Sequence, residues 1–263
     1  MDKMTISVDL NSPSAIEARI AKKRIPRLAP FLILLARPGL AILAQGIFIL
    51  VFIQGGVPAP TTAVRHWWTV YGTFIDLGCL GILFWLTRHE GIRLFDLLSF
   101  DKTKIKKDIL IGVGIFLVVF PLSVFSGGLV GGWLAYGSLN PTFPDGGFIR
   151  VLPLWAVWFS RIFWWPLWSL TEELTFQGYA LPRLQALTRS TWLSVALVSC
   201  DWSLQHSFLP WIDPRHALYL FITFIPLTIA MQLIYLRVRR LPPLIVGHWL
   251  MDFVSVLFMV QVG

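Results

Sequence analysis

Seven stretches of this chain stay apolar for close to twenty residues at a time: 31–53, 66–86, 109–134, 151–173, 191–209, 216–236 and 243–262. About 20 helical residues cross the hydrocarbon core of a bilayer. Lipid offers no partner to backbone N–H and C=O groups, so such stretches are helices, satisfied within themselves, rather than open strands. Charged residues make up 14% of the chain, hydrophobic ones 56%, and mean hydropathy is +0.70. A soluble globular chain carries about 25% charged residues, so much of this one has lipid as its solvent. The expected fold class is all-α, a polytopic bundle of about seven transmembrane helices. Its count ranges from about six to about eight, because two stretches are long and Pro166 falls inside one of them.

The cations orient the bundle. Six lie in the N-terminal tail (Lys3, Arg19, Lys22, Lys23, Arg24, Arg27) and six between the second and third stretches, from Arg88 to Lys107. Arg183 and Arg189 follow the fourth stretch, and Arg237, Arg239 and Arg240 the sixth. The alternate loops hold only Arg65, Arg150 and Arg215. Seventeen against three puts the N-terminus in the cytoplasm and accounts for the net charge of +8 without nucleic acid.

Residues 1–29 read as a basic cytoplasmic tail with a surface helix over 13–25, and 30–263 as a single transmembrane domain. No short apolar core followed by a small-residue cleavage site is present, so no cleaved signal peptide is expected. Segment 91–108 mixes Leu94, Phe95, Leu97, Leu98 and Phe100 with charges and reads as an amphipathic helix in the cytoplasmic interface. Cys79 and Cys200 are too few and too far apart for a disulfide framework or a CxxC metal site.

Charge at membrane depth costs several kcal/mol and marks function or pairing. The residues concerned are Arg37, Asp76, Arg161, Glu172, Glu173, Asp201, His206, His248 and Asp252. Glu172 and Glu173 are about 100° apart on a helix and face different neighbours. Gln177 falls on the Glu173 face, and Asp252 on the His248 face, each four residues on. Two glutamates and two histidines on three helices supply a general base with polarising groups. Equally, Glu172, His206 and His248 are of the Glu/His type that binds a divalent metal such as zinc. Arg161 and Asp201 have depths matching within about 3 Å, which suggests a structural ion pair. Arg37 and Asp76 suggest another.

In order and spacing these residues resemble the CAAX prenyl protease and bacteriocin-processing family, also called CPBP or Abi. Its pattern is E-E-x-x-x-R, then F-x-x-x-H, then H-x-x-x-N/D on successive membrane helices. Here the three motifs are Glu172-Glu173 to Gln177, Trp202 to His206, and His248 to Asp252, within residues 150–258. Gln177 stands where the family has arginine, and Trp202 where it has phenylalanine. The resemblance implies an intramembrane endopeptidase. In that reading Glu172 activates water, His206 assists, His248 and Asp252 stabilise the oxyanion, and Glu173 orients the site through Gln177. It implies a membrane-associated peptide or protein substrate within the lipid bilayer. A metal and a metal-free glutamate-activated water both remain open.

Two other functions fit the same residues. An inactive pseudoprotease that binds membrane segments accords with Gln177, and a small proton-coupled transporter would also use buried Glu, His and Asp. Compact loops point to a bacterial plasma membrane. The charge count makes a direct prediction: single cysteines introduced at Lys104 and at Asp145 should react with an impermeant thiol reagent from opposite sides of the membrane. Reaction of both from the same side would refute the assignment.

Overall fold

A computed structural model describes residues 10–143 and 149–263. Lys3 of the tail and Asp145 therefore lie outside the described residues. A short helix, α1 (Pro13–Ala21), precedes two long ones, α2 (Ala29–Gln54) and α4 (Trp68–Glu90), with α3 (Pro60–His66) between them. Next come α5 (Ile105–Pro121) and α6 (Gly128–Tyr136), joined without a break by π-helical residues Leu122–Gly127. The pieces α7 (Leu154–Phe159), α8 (Trp165–Glu173) and α9 (Leu181–Thr188) form one column, interrupted by π-helical stretches Ser160–Trp164 and Leu174–Ala180. The chain then builds α10 (Thr191–Ser207), α11 (Pro214–Val238) and α12 (Pro242–Met259).

This is an all-α membrane bundle, but the count of seven is not reproduced by length and apolarity. Five stretches among the described residues qualify as spans: Ala29–Gln54, Trp68–Glu90, Leu94–Tyr136, Pro214–Val238 and Pro242–Met259. The expected fourth and fifth exist as the α7–α9 column and α10, but they are polar, interrupted or short. They carry the two glutamates and His206 and are packed largely against other helices.

Three expectations change in detail. The column continues past residue 173 to Thr188. Residues 150–152 and 260–262 leave the helices and pair as short parallel strands, β1 (Arg150–Leu152) and β2 (Val260–Val262). Segment 91–108 is no continuous amphipathic helix. It holds two 3₁₀ turns, Leu94–Leu98 and Lys102–Lys104, before α5 begins. Leu97 is buried there, while Phe95 and Phe100 are exposed.

Helix ends follow local chemistry. Asp213 caps α11 by accepting from His216 N at 2.9 Å, and Ser190 caps α10 by accepting from Leu193 N at 3.2 Å. Pro30, Pro214 and Pro242 occupy first turns, where a missing N–H costs nothing. The tail helix is anchored. Ile16 is buried, Arg19 reaches Glu90 at 3.3 Å, and Asn11 Nδ2 donates to Gly178 O at 2.7 Å. Glu90 also receives both arms of Arg183, at 2.7 and 2.6 Å, so a cation counted as a loop residue is fully buried.

Buried apolar residues form two clusters. One surrounds Leu83, Phe176, Trp202 and Met231, and the other Tyr71, Trp164, Trp168 and Val256. Lipid tails are as apolar as leucine, so helix association rests on close packing and polar contacts. The α5–α12 crossing shows this. A Cβ on Gly112 would stand 2.6 Å from Val246 Cβ and 2.9 Å from Pro243 O, and one on Gly247 would stand 2.7 Å from Ile115 Cγ2. Gly112→Val should therefore lower stability by about 1–3 kcal/mol, the usual cost of overpacking. Thermal unfolding in detergent checks this, with Gly114→Val as the control because nothing lies within 4 Å of a Cβ there.

Candidate active site

The polar centre lies between the two apolar clusters, where α2, α4, α8, α10 and α12 meet. Glu172 and Glu173 end α8, just before the π-helical stretch Leu174–Ala180. Both are fully buried. Neighbours on three helices surround the Glu172 carboxylate. Arg37 Nη2 donates to Oε1 at 3.3 Å, and Gln205 Nε2 also donates to Oε1. Trp202 Nε1 donates to Oε2 at 2.8 Å, and His248 Nε2 lies 3.5 Å from the same oxygen.

His248 is the hub of the second half. Its Nδ1 pairs with Glu173 Oε1 at 3.0 Å, and its Nε2 lies 3.6 Å from Asp252 Oδ2. The four-residue spacing thus does place Asp252 beside His248. Ser169 Oγ donates to Asp252 Oδ2 at 2.5 Å, fixing the carboxylate from α8, with Trp165 O as an alternative acceptor at 3.0 Å. Trp202 stacks on Phe176 with ring centres 4.8 Å apart, which makes an aromatic wall beside Glu172.

His206 lies on the same cavity as His248 and Asp252. The cavity, about 440 Å³, is walled mostly by apolar side chains, among them Trp168, Phe120 and Phe224. His206 stacks flat on Phe224, with centroids 3.7 Å apart. Counted along straight helices from the cytoplasmic ends, His206 and His248 would differ in depth by about 10 Å, yet both line one space. Glu172 and Glu173 stand behind His248.

Two site expectations need correction. Arg161 and Asp201 are not paired: Arg161 Nη2 donates to Val260 O at 2.8 Å, and Asp201 Oδ2 has no hydrogen-bond partner. Equal depth is one coordinate only. Arg161 turns toward β2, while Asp201 shares the face of Gln205, one turn later, which meets α2. Gln177 does not hold Glu173. Both its amide atoms are buried without a hydrogen bond, as is Glu173 Oε2. The i,i+4 rule assumes α-helical winding, and this stretch is π-helical. The grip on Glu173 comes instead from His248.

Whether a divalent metal binds is left open by the sequence. Among the described residues, no group of three or more His, Cys, Asp or Glu side chains has a metal-holding arrangement. The Glu172 carboxylate accepts from Arg37, Gln205 and Trp202. No step below runs through a metal.

The expected Arg37–Asp76 pair is present at 3.2 Å, fully buried. Sequence reasoning missed that Arg37 also reaches Glu172, and it missed Gln205 and Ser169 altogether. The signal for Gln205 was a neutral polar residue at membrane depth beside His206, which a census of charges passes over.

The bundle thus gathers carboxylates and histidines at membrane depth beside a cavity. Residues 153–254 match the family model described as Type II CAAX prenyl endopeptidase Rce1-like. Over this C-terminal part the chain is similar to the CAAX prenyl endopeptidase family. The match runs from the start of the column into α12 and contains Glu172, Glu173, His206, His248 and Asp252; Arg37 and Asp76 lie outside it. No curated protein and no solved structure matches the chain.

The geometry predicts the outcome of a double-mutant cycle. Arg161→Met and Asp201→Asn should change unfolding stability additively, to within about 0.5 kcal/mol, because the two side chains share no contact. A coupling of several kcal/mol, as breaking and removing a buried pair would give, would contradict the separation.

Proposed function

We propose that this protein is an intramembrane endopeptidase that hydrolyses a peptide bond in a membrane-associated substrate, with glutamate-activated water as the nucleophile. One observation carries the proposal: Glu172, Glu173 and Asp252 converge on His248 at the wall of an apolar cavity that His206 also lines. The apolar walls suit a lipid-modified or membrane-inserted segment, in keeping with the family's name.

In this mechanism water is held near Glu172 Oε2 and His248 Nε2. Glu172 takes one proton as the water oxygen adds to the peptide carbonyl carbon. The negative charge gathers on the former carbonyl oxygen, where His206 and the His248–Asp252 pair stabilise it. The C–N bond then breaks, and the proton on Glu172 passes to the departing amine. Glu173 orients the His248 ring through Nδ1, and Ser169 orients Asp252. The N-terminus is placed in the cytoplasm, and the membrane proposed is a bacterial plasma membrane.

The test uses purified protein in vesicles, a farnesylated peptide ending in a CAAX sequence, and the same peptide without the lipid. Glu172→Gln should lower kcat by about 10²–10⁴, the usual worth of a positioned base. His206→Ala and His248→Ala should each lower it by about 10²–10³. Full cleavage by Glu172→Gln would sink the proposal. Specific binding of both peptides without any cleavage would favour the pseudoprotease reading.

A further inference from the structure

Arg37 is the most heavily engaged side chain at membrane depth, yet it is not among the residues lining the cavity. It is fully buried on α2, next to Pro38, which interrupts the helix ladder there. Its three nitrogens are all committed. Nη1 donates to Asp76 Oδ1 at 3.2 Å, Nη2 to Glu172 Oε1 at 3.3 Å, and Nε to Gln205 Oε1 at 2.6 Å. The guanidinium also lies over the Trp168 ring, 4.7 Å from its centre.

The contact with Gln205 has a consequence. A guanidinium has donors and no acceptor, so it takes the oxygen of the Gln205 amide. The amide nitrogen is then left to point the other way, at Glu172 Oε1. Arg37 thus holds Glu172 Oε1 twice, once directly and once by fixing the orientation of Gln205. The other oxygen, Oε2, is left facing Trp202 and His248. Asp76 anchors the arrangement from α4. Its Oδ1 accepts from Arg37, and no cation other than Arg37 pairs with it among the described residues.

We propose that Arg37 is a positioning residue for the reaction: braced by Asp76 and working partly through Gln205, it holds Glu172 so that Oε2 is the oxygen presented to water. The N-terminal helices α2 and α4 therefore complete a site whose other members all lie in residues 153–254. The inference rests on Glu172 being the base.

The experiment compares Arg37→Gln, the neutral double variant Arg37→Gln/Asp76→Asn, Arg37→Lys and Glu172→Gln, each as full-length protein. Folding is followed by thermal unfolding, and kcat and KM are measured separately on the farnesylated peptide. Arg37→Gln alone should lose stability, because it leaves both Asp76 and Glu172 without their cation. Neutralising Asp76 removes the larger uncompensated charge, since Glu172 keeps Gln205 and Trp202 as donors. The double variant should regain that stability while its kcat stays at least about 10-fold below wild type. Its KM should stay within about twofold, since Arg37 is away from the cavity wall. Should the double variant fail to fold, Arg37→Lys carries the same test, because an ammonium keeps the charge but cannot make the three-way contact. A second readout needs no turnover. The Trp202 indole N–H resonance, assigned with Trp202→Phe, reports its bond to Glu172 and should shift in the same variants. A kcat that recovers together with stability, or an unmoved indole resonance in a folded variant, would overturn the role of Arg37. Full activity in Glu172→Gln would instead overturn the assignment of the base, and the two failures are distinct.

Discussion

A carboxylate buried at membrane depth has no water to turn to, so the protein must bring donors to it from every side. Glu172 is the clearest case. Its donors come from α2 and α10, and α12 adds the His248 ring. None of these helices is its neighbour in sequence. Meeting that demand fixes how they stand against α8. The two apolar clusters lie on either side of this polar centre, with Trp202 in one and Trp168 in the other. Apolar packing alone would leave helices in lipid free to slide or rotate, because their surfaces resemble their solvent. Contacts that must be made at one register remove that freedom.

The same logic holds at the N-terminal end of the bundle. Glu90, at the end of α4, takes both arms of Arg183 and the side chain of Arg19, and Asn11 reaches the backbone of Gly178. Tail, α4 and the helical column are tied at one place. Between this tie and the glutamates runs the π-helical stretch Leu174–Ala180, whose seven side chains are all buried. A π-helical turn shifts the angular position of everything beyond it. Removing it would rotate either the glutamates or Arg183 away from their partners, so each anchor holds the other in phase.

The family match and this geometry bear on different halves of the chain. The match covers the column, α10, α11 and most of α12, where the motif residues lie. α2 and α4 add the guanidinium and the carboxylate that brace Glu172. Their composition is that of ordinary membrane helices, apart from one charge in each at the critical depth. A buried arginine and aspartate are costly singly and tolerable together, which is why the sequence suggested that they pair.

The sequence by itself determined the class of fold, the chief polar residues and their order along the chain. Bilayer thickness translates directly into helix length, and charge at membrane depth is expensive enough to stand out from its surroundings. It also placed His248 and Asp252 on one face, because α12 is regularly α-helical and a spacing of four means one turn. Where that regularity failed, so did the reading. Gln177 follows Glu173 by four residues too, but through π-helical winding, and it makes no contact with it. Depth was legible and direction was not, so Arg37 and Asp76 met while Arg161 and Asp201, equally well matched in depth, turned to different neighbours. Which carboxylate His248 would grip, which amide would serve Glu172, and whether two histidines at different nominal depths would share a cavity depended on the rotation and tilt of whole helices. Those follow from packing and mutual hydrogen bonding among five helices, a property of the assembled bundle that no single stretch of sequence encodes.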